Sequence, residues 1–392
     1  MEDAPLRILT LADTPPDANS GAAGTEVRTI EALRAQGHRV DTVWRDDMPH
    51  RFKHPNLHIL LELPRAYEEA TAKALARAEY DVVHANQPHG FRAARLVRRI
   101  APRTLFVHRS HGLEANAEET LKRWRKKYEQ DSRSLARRVA TQLLEPLLAR
   151  VPRLNAREAE AHNLLCSMDA EYLETRFGVD AARIAVIPLA PPDAYRQTPA
   201  PPMTAERLKC VLHIAQFAFF KAPMITAAAM NAIATTNRDV RLIWVCDRAH
   251  HESVRSLLSN EVQQRLELLH WRDQDELRAI YDRCGIFLFP SFFEGFGKTF
   301  LEAMSRGMCV VASDAGGMHD VIRSGVDGVL VPAGDAERLA AETRALLDNL
   351  PRAAAMSAAA AERAREYSWD RVARETADFY RRRLAVLRKD ER

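Results

Sequence analysis

One short stretch of the second half of the chain has the residue types that could bind an activated sugar. The apolar run 286–289 predicts a buried strand, and two glutamates, Glu294 and Glu302, follow it at a separation of eight positions. Residues 295–297 include two glycines, which let the backbone turn and approach a ligand closely. Helix-forming residues come next, and the free N–H groups at a helix N-terminus attract anions. Carboxylates that accept hydrogen bonds from hydroxyls, next to an anion site, suit a sugar linked to a diphosphate.

Each glutamate also has a purely structural interpretation. Thr299 and Glu302 have the spacing of a capping box, which would make Glu302 part of the helix start. Glu294 taken alone could be a solvated loop carboxylate. The sequence leaves these alternatives open.

The segments around this stretch predict the elements that position it. Short apolar runs alternate with helix-period segments along both halves of the chain, which favours parallel sheets covered by helices on both faces. The predicted strands are 6–11, 40–44, 82–85, 105–108, 211–214, 242–246, 266–269, 286–289 and 309–312. The predicted fold class is therefore α/β, with two doubly wound Rossmann-like domains that face each other across a cleft. Ligands bind such sheets beyond the carboxyl ends of their strands.

Prolines mark the expected domain boundary. Six prolines lie between Pro188 and Pro202, a density that neither a helix nor a central strand accommodates. We therefore expect an N-terminal domain over 1–195, completed by a C-terminal helix at about 370–392. A second domain is expected over 205–368.

Composition excludes several classes of protein. The 392 residues contain 46% hydrophobic residues, enough for two packed cores, and the net charge is only +4, too small to indicate a nucleic-acid binder. The five cysteines have no zinc-site spacing, so we expect buried reduced thiols. The sequence has neither a membrane-spanning run nor a basic leader. We expect a cytoplasmic protein.

The stretch Glu294–Met304 resembles the E-x7-E motif of the retaining glycosyltransferases of family four, in the GT-B class. Other parts of the chain resemble further signatures of the same family, including its N-terminal phosphate loop. These parts are 20–25, 32–40, 81–86, 111–114, 313–322 and 325–332. The resemblance therefore covers most of the chain.

The resemblance implies the GT-B fold and a retaining transfer of a sugar from a UDP- or GDP-linked donor to a hydroxyl group. The acceptor would be a saccharide, a lipid-linked molecule or a small molecule. No metal and no other cofactor is implied. Two alternatives remain: a catalytically weak or silent nucleotide-sugar-binding protein, and a GT-B nucleotide-sugar epimerase.

The resemblance also implies roles for individual residues. It gives catalytic roles to His111, beside the reacting sugar, and to Glu294, on the donor hydroxyls; a strand-end core histidine is the alternative for His111. The residues that it implies for donor binding are Gly21, Gln216, Lys221, Gly295, Phe296, Gly297, Lys298 and Glu302.

One position departs from the family's pattern. The family usually has an arginine five residues before the lysine that corresponds to Lys221, and both clamp the diphosphate. Gln216 stands at that arginine's place. Glutamine donates hydrogen bonds but has no charge, so we expect weaker stabilisation of the leaving group unless another cation, such as Lys298, contributes.

Residues 91–157 are strongly basic, with 17 lysines and arginines against six acidic residues. Within 113–138, apolar residues repeat at helical spacing among these cations. Such a segment suits peripheral contact with an anionic membrane at the inner face of the cell membrane, or an acidic acceptor. An ordinary helix with a solvated basic face is the alternative. The segment has no nucleic-acid-binding motif, and no nucleic-acid partner is expected.

Overall fold

The computed structural model of the chain describes residues 4–18, 20–128 and 135–389. The chain divides into two compact units. The first consists of Met1–Pro188 together with Trp369–Arg392, and the second of Leu189–Ser368.

Each unit contains one six-stranded sheet, and all neighbouring strands are parallel. The strands are β1 Arg7–Leu11, β2 Arg39–Val43, β3 Val82–Asn86, β4 Leu105–Arg109, β5 Ala161–Leu164, β6 Ile184–Val186, β7 Cys210–Ile214, β8 Arg241–Val245, β9 Leu266–Leu269, β10 Ile286–Phe289, β11 Cys309–Ser313 and β12 Val329–Val331. The first sheet has the order β2-β1-β3-β4-β5-β6 and the second β12-β11-β10-β7-β8-β9. This parallel arrangement buries the central strands on both faces.

Helices flank both sheets. They are α1 Ala22–Ala35, α2 Pro55–Leu57, α3 Leu63–Leu75, α4 Phe91–Ile100, α5 Glu114–Tyr128, α6 Leu135–Glu158, α7 Ser167–Phe177, α8 Asp193–Gln197, α9 Ala205–Leu208, α10 Pro223–Ala234, α11 His251–Leu257, α12 Asn260–Gln263, α13 Gln274–Arg283, α14 Lys298–Ser305, α15 Gly317–Val321, α16 Ala336–Leu347, α17 Leu350–Arg365 and α18 Trp369–Leu387. A π-helical turn, His58–Glu62, joins α2 to α3. The last helix, α18, packs against α1 and so belongs to the first unit.

The two-domain α/β fold predicted from the sequence is confirmed, as are all nine predicted strands. The sequence pattern does not predict three of the strands, and each has a local reason. In β5, His162 and Asn163 interrupt the apolar run that is typical of a buried strand, and β6 and β12 have only three residues each. Helix α1 begins at Ala22, inside the segment 20–25 that resembles the family's phosphate loop, so Gly24 is helical.

The proline-rich segment packs against the second unit, and the unit boundary at 188/189 precedes it. The buried Arg306 guanidinium donates hydrogen bonds to the carbonyl oxygens of Tyr195 at 2.8 Å and Thr198 at 2.7 Å. The Arg207 guanidinium donates to the carbonyl oxygen of Pro201 at 2.7 Å. Two arginines thus satisfy carbonyl groups that no regular element pairs.

All five cysteines are free and buried. Within the described residues, no helix combines the length and the apolar composition that spanning a bilayer requires.

Several histidines lie inside the sheets. His108 and His162 are fully buried on neighbouring strands, and their Nδ1 atoms are 3.1 Å apart, within hydrogen-bond distance. Burial lowers the pKa of His162 to about 3 and holds the pKa of His108 well below its ordinary value. Both rings are therefore neutral in the folded protein at neutral pH.

This pair predicts a loss of stability in acid. The unfolded chain binds a proton at each histidine near pH 6.5, whereas the folded protein does not until the pH approaches about 3 at His162. The histidine contribution is therefore complete above about pH 6.5 and is lost as the pH falls below it. We expect urea unfolding to show a smaller decrease in the free energy of unfolding between pH 7 and pH 4.5 for His162→Asn than for the wild type. The exposed His54, changed to Asn, is the matched control and should leave the pH dependence unchanged. An equal decrease in His162→Asn and the wild type would contradict this origin of the acid sensitivity.

Candidate functional site

The strand order of the second sheet reverses between β7 and β10. From β7 the chain runs outward through β8 and β9, then crosses back to β10 on the other side of β7. Ligands bind at such a reversal, beyond the carboxyl ends of the two strands, because the two following loops diverge there. The loop after β7 contains Lys221, and the loop after β10 contains Glu294.

An ion pair joins these two loops. The Lys221 Nζ atom is 2.5 Å from the Glu294 Oε1 atom, which also accepts a hydrogen bond from the Ser291 hydroxyl at 2.7 Å. The Glu294 side chain is 6% exposed and the Lys221 side chain 16%. The Phe292 N–H adds a backbone hydrogen bond to the Phe220 carbonyl at 2.8 Å. Glu294 is a buried, paired carboxylate, so the solvated-loop interpretation is wrong.

Ala222, directly after Lys221, is buried in the left-handed backbone region at φ 49°. A residue with a Cβ atom is strained in this conformation, and such strain is concentrated at functional sites. Ala222 is followed by Pro223, the first residue of α10. The strained turn therefore fixes the position of the Lys221 backbone relative to helix α10.

Glu302 is held deep in the same unit. Helix α14 begins at Lys298, with Gly297 as its N-cap at φ 85° and no side-chain cap, so the capping-box interpretation of Glu302 is wrong. The Tyr281 hydroxyl donates to Glu302 Oε2 at 2.9 Å. The Oε1 atom of Glu302 is buried and makes no hydrogen bond. A buried carboxylate oxygen without a hydrogen bond is costly and marks a place where a hydroxyl ligand would be stabilised.

The pKa of the Tyr281 hydroxyl is well above its ordinary value, first because the ring is buried and second because of the Glu302 charge. Tyr281 therefore stays protonated and remains a donor to Glu302. The sequence analysis missed this tyrosine, since a single tyrosine inside an amphipathic helix gives no signal.

The loop after β11 packs directly on the Glu294 loop. A Cβ atom on Gly316, at φ 52°, would lie 2.3 Å from the Glu294 carbonyl oxygen. A Cβ atom on Gly317 would lie 2.3 Å from the Phe296 ring. These two glycines, noted in the sequence only as part of a signature, permit a contact that any larger residue would prevent.

The other predicted donor-binding residues of the second unit occupy different environments. Gly295 and Phe296 are buried, and the Phe296 ring packs 5.4 Å from the Phe300 ring, so its side chain serves the loop's packing. The Lys298 Nζ atom is 4.0 Å from Glu302 Oε1. Gln216 is exposed, two residues after the end of β7.

His111 belongs to the first unit, after the end of β4. Its Nε2 atom is 3.2 Å from Glu26 Oε1, and its side chain is 11% exposed. Glu26, on α1, is 1% exposed and also meets the Arg109 Nε atom at 3.1 Å. The structure therefore places His111 beside a buried carboxylate at the strand end.

Glu26 is the centre of this polar cluster. Burial raises the pKa of Glu26, but the Arg109 charge and the His111 hydrogen bond outweigh burial and hold the pKa well below its ordinary value. His84 Nε2 lies 3.8 Å from Glu26 Oε2, and burial lowers the pKa of His84 to about 4. The Tyr380 hydroxyl, on α18, is 2.7 Å from His84 Nδ1. Sequence reasoning missed Glu26 because one glutamate in an amphipathic helix resembles a surface residue.

Gly21 is the N-cap residue of α1, and a Cβ atom there would meet no atom within 4 Å. Packing within the chain therefore does not require glycine at this position. Gly24, one turn later, is the glycine that packing requires, since its Cβ atom would lie 2.5 Å from the Ala18 carbonyl oxygen.

The basic segment predicted for membrane contact, 113–138, lies partly outside the described residues. Leu113 precedes α5 and is buried in the core, whereas α5 itself has no buried residue. The Lys127 ammonium lies over the rings of Trp124 and Tyr128, at 5.5 and 5.2 Å from their centroids. Membrane contact through this segment stays a prediction.

Two families match the chain, one in each unit. Residues 20–190 match the family described as Glycosyltransferase Family 4, and residues 209–349 match the family described as Glycosyl transferases group 1. Between them, these matches cover every strand of the two sheets except β1.

Curated relatives are similar in sequence. A D-inositol 3-phosphate glycosyltransferase of Corynebacterium aurimucosum is 30% identical over 223 residues, which are 52% of each chain. A protein of the same description from Corynebacterium efficiens is 29% identical over 320 residues, 77% of this chain and 71% of that one. The first relatives are matched over only a quarter to about half of their own length.

Solved structures share the fold. A sucrose-phosphate synthase from Thermosynechococcus elongatus has a TM-score of 0.72 and 21% identity, over 97% of this chain and all of that one. The Anabaena protein HepE, in complex with UDP, has a TM-score of 0.66 and 17% identity, over 95% of this chain and 98% of that one. Two parallel sheets with these neighbours define the GT-B class of glycosyltransferase fold. Each of the two units is similar to a glycosyltransferase family, and the match in the first unit is to family four.

The glycine contact yields a matched test. Gly316→Ala and Gly325→Ala both place a side chain at positive φ, but a Cβ atom on Gly325 meets nothing within 4 Å. We expect Gly325→Ala to cost about 1–2 kcal/mol of stability. Gly316→Ala should cost about 1–3 kcal/mol more, because the Glu294 loop must move and because an alanine is strained at φ 52° and ψ −138°. Urea unfolding measures both values, and equal losses would show that the contact with Glu294 carries no energy.

Proposed function

We propose that the protein is a retaining glycosyltransferase that transfers a sugar from a nucleotide-diphosphate donor to an acceptor hydroxyl, without a metal ion in the donor step. The observation that carries the proposal is the buried Lys221–Glu294 ion pair at the strand-order reversal of the second sheet, with the buried Glu302 in the helix that follows. The two family matches support this proposal, since both descriptions are of glycosyltransferases.

Glu294 and Glu302 would hold the hydroxyl groups of the donor. Glu302 Oε1 is buried without a hydrogen bond, which costs free energy. A ribose hydroxyl that donates a hydrogen bond to this oxygen would remove that cost. Glu294 Oε1 is already used by Lys221 and Ser291, and Oε2 would accept from a hydroxyl of the transferred sugar.

Lys221 and the start of α14 would receive the diphosphate. Negative charge collects on the diphosphate as the donor bond breaks, and a fixed ammonium group and free backbone N–H groups stabilise it there. Lys298, the first residue of α14, adds a second ammonium at the same helix end. These fixed cations would supply the charge stabilisation that a metal ion provides elsewhere.

In the proposed step, the bond between the sugar C1 atom and the diphosphate oxygen breaks, and its electron pair stays on the diphosphate. The acceptor oxygen bonds to C1 on the same face, and its proton passes to the departing phosphate oxygen. His111 would orient the reacting sugar, since its contact with Glu26 fixes its ring. The exclusion of water from the site would protect the donor from hydrolysis.

Similarity to other proteins supports the choice of ligands. Solved neighbours contain UDP, and one contains UDP-glucose, so we propose a UDP-linked donor. The relatives are described as D-inositol 3-phosphate glycosyltransferases, which favours a small polyol-phosphate acceptor over a polymer. A catalytically silent sugar-nucleotide-binding protein and an epimerase remain the alternatives. Release of UDP in the presence of an acceptor, with a glycosylated product, would exclude both.

Removing the Glu294 charge should abolish transfer without unfolding the protein. We expect Glu294→Gln and His111→Ala to lower the rate of UDP release from UDP-sugar and acceptor by about 100-fold or more. In Glu294→Gln the amide keeps the shape of the carboxylate, and its oxygen can still accept hydrogen bonds from Lys221 and Ser291. The variant should therefore remain folded while the rate falls.

The matched control for Glu294→Gln is Glu252→Gln, since the Glu252 side chain is 92% exposed and lies outside the site. Its rate should equal that of the wild type. Wild-type turnover in folded Glu294→Gln would contradict the role proposed for this carboxylate.

Gln216 can be tested by restoring the charge that the family usually has there. Because Gln216 is exposed, an arginine side chain has room at this position. If the missing charge limits donor binding, Gln216→Arg should lower the Kd of UDP at low salt, measured by calorimetry, by about 3- to 10-fold. The gain should shrink as salt is added. A weaker affinity for UDP would show instead that the glutamine itself contributes to the site.

A further inference from the structure

Three metal-ligand side chains to which the proposed function gives no role meet in the first unit. Asp13 follows β1, His50 lies in the loop after β2, and His58 opens the π-helical turn. One potential ligand atom of each lies within 4.8 Å of the other two. The first sheet reverses its strand order between β1 and β3, so Asp13 stands at the point where α/β sheets bind ligands.

Both histidine–aspartate distances are close to the separation of two ligand atoms in a tetrahedral metal site. His50 Nε2 is 3.1 Å from Asp13 Oδ1, and His58 Nε2 is 3.5 Å from Asp13 Oδ2. Ligand atoms about 2.0–2.1 Å from a tetrahedral zinc ion lie about 3.3 Å from one another. The two rings stack with centroids 4.4 Å apart, so both nitrogen atoms reach the same carboxylate.

Ordinary hydrogen bonds do not account for these contacts. The Nε2 atom of His58 and the Oδ1 atom of Asp13 are buried and make no hydrogen bond, despite the short distances to their neighbours. His58 as a whole is 9% exposed, and its orphan nitrogen is directed at the Asp13 carboxylate. A cation between them would satisfy both atoms, because a lone pair on each would face it.

A second carboxylate fixes the ligand geometry. Glu62 Oε2 lies 2.9 Å from His58 Nδ1, which therefore carries the proton and leaves the Nε2 lone pair available. Glu62 also accepts hydrogen bonds from the backbone N–H groups of Arg51, at 2.9 and 3.0 Å, and Phe52, at 3.2 Å. One buried carboxylate thus holds both His58 and the loop that carries His50. A carboxylate on the far nitrogen of a histidine is the usual outer-shell partner of a metal ligand.

The remaining supports are equally local. The Asp13 backbone N–H donates to the Tyr67 hydroxyl at 3.1 Å, which itself donates to the Asn86 carbonyl at 3.0 Å. His58 and Glu62 are four residues apart in a π-helical turn, a rare conformation that occurs often at functional sites.

We propose that Asp13, His50 and His58 bind one divalent transition-metal ion of the zinc type. Two imidazoles and one carboxylate form a donor set that suits such ions rather than magnesium or calcium. Three protein ligands leave a coordination position for water or for an oxygen atom of a ligand. The ion joins the loops after β1 and β2 to the start of α3. All of its ligands belong to the first unit, and none of them has a role in the donor chemistry proposed above.

The test uses the full chain, freed of metal with EDTA and dialysed. Titration calorimetry with zinc should give about one site per chain, and cobalt should produce the visible absorption of a four-coordinate site. Asp13 and His50 lie in loops and are not fully buried, so Asp13→Asn and His50→Ala should leave the core intact. Each variant should weaken zinc binding at least 10-fold. Glu62→Gln, which retains the ligands, should weaken it about 10- to 100-fold.

His54→Ala is the matched control, since His54 is an exposed histidine four residues before His58. It should keep the wild-type stoichiometry, affinity and cobalt spectrum. Absence of zinc binding by the wild type would overturn the proposal. So would unchanged affinity in both Asp13→Asn and His50→Ala, or loss of the site in His54→Ala. A His58→Ala variant removes the third ligand but also a largely buried side chain. If that variant fails to fold, Asp13→Asn and His50→Ala still decide the result.

Discussion

The ion pair between Lys221 and Glu294 is the interaction on which the candidate donor site depends. It joins the two loops that diverge from the strand-order reversal of the second sheet, and both of its side chains are largely removed from water. A carboxylate this deeply buried is stable only with a partner, because desolvation of an isolated charge costs several kcal/mol. The pair therefore fixes Glu294 in place, and the Ser291 hydroxyl and the Gly316 contact determine its orientation.

The first unit also has a buried ion pair between a carboxylate and a cation, formed by different residues. Glu26 is buried at the carboxyl edge of the first sheet and is balanced by Arg109, with His111 and His84 close by. Glu26 and Glu294 are thus both desolvated carboxylates, each with a cation beside it. In a low-dielectric setting such a charge orients nearby donors strongly, which suits recognition of hydroxyl-rich ligands.

The fold was largely predictable because parallel strands buried on both faces must be apolar and short. Runs such as 211–214 and 309–312 have this pattern, and the structure confirms them. β5 escaped detection because two of its four residues, His162 and Asn163, are polar although they are buried, so the segment has no apolar run. The E-x7-E spacing similarly indicated Glu294 and Glu302, whereas nothing in the local sequence marks Glu26 or Tyr281.

By itself, the sequence determined the alternation of strands and helices, the resemblance to glycosyltransferases, and the two glutamates that follow β10. These features depend on local pattern, since periodicity and glycine placement are read along the chain. Only the tertiary structure decided which charges are paired, that Glu302 receives its hydrogen bond from Tyr281, and that Asp13, His50 and His58 converge. Those arrangements depend on crossovers that bring residues tens of positions apart to one edge of a sheet, and no local pattern encodes the distances between them.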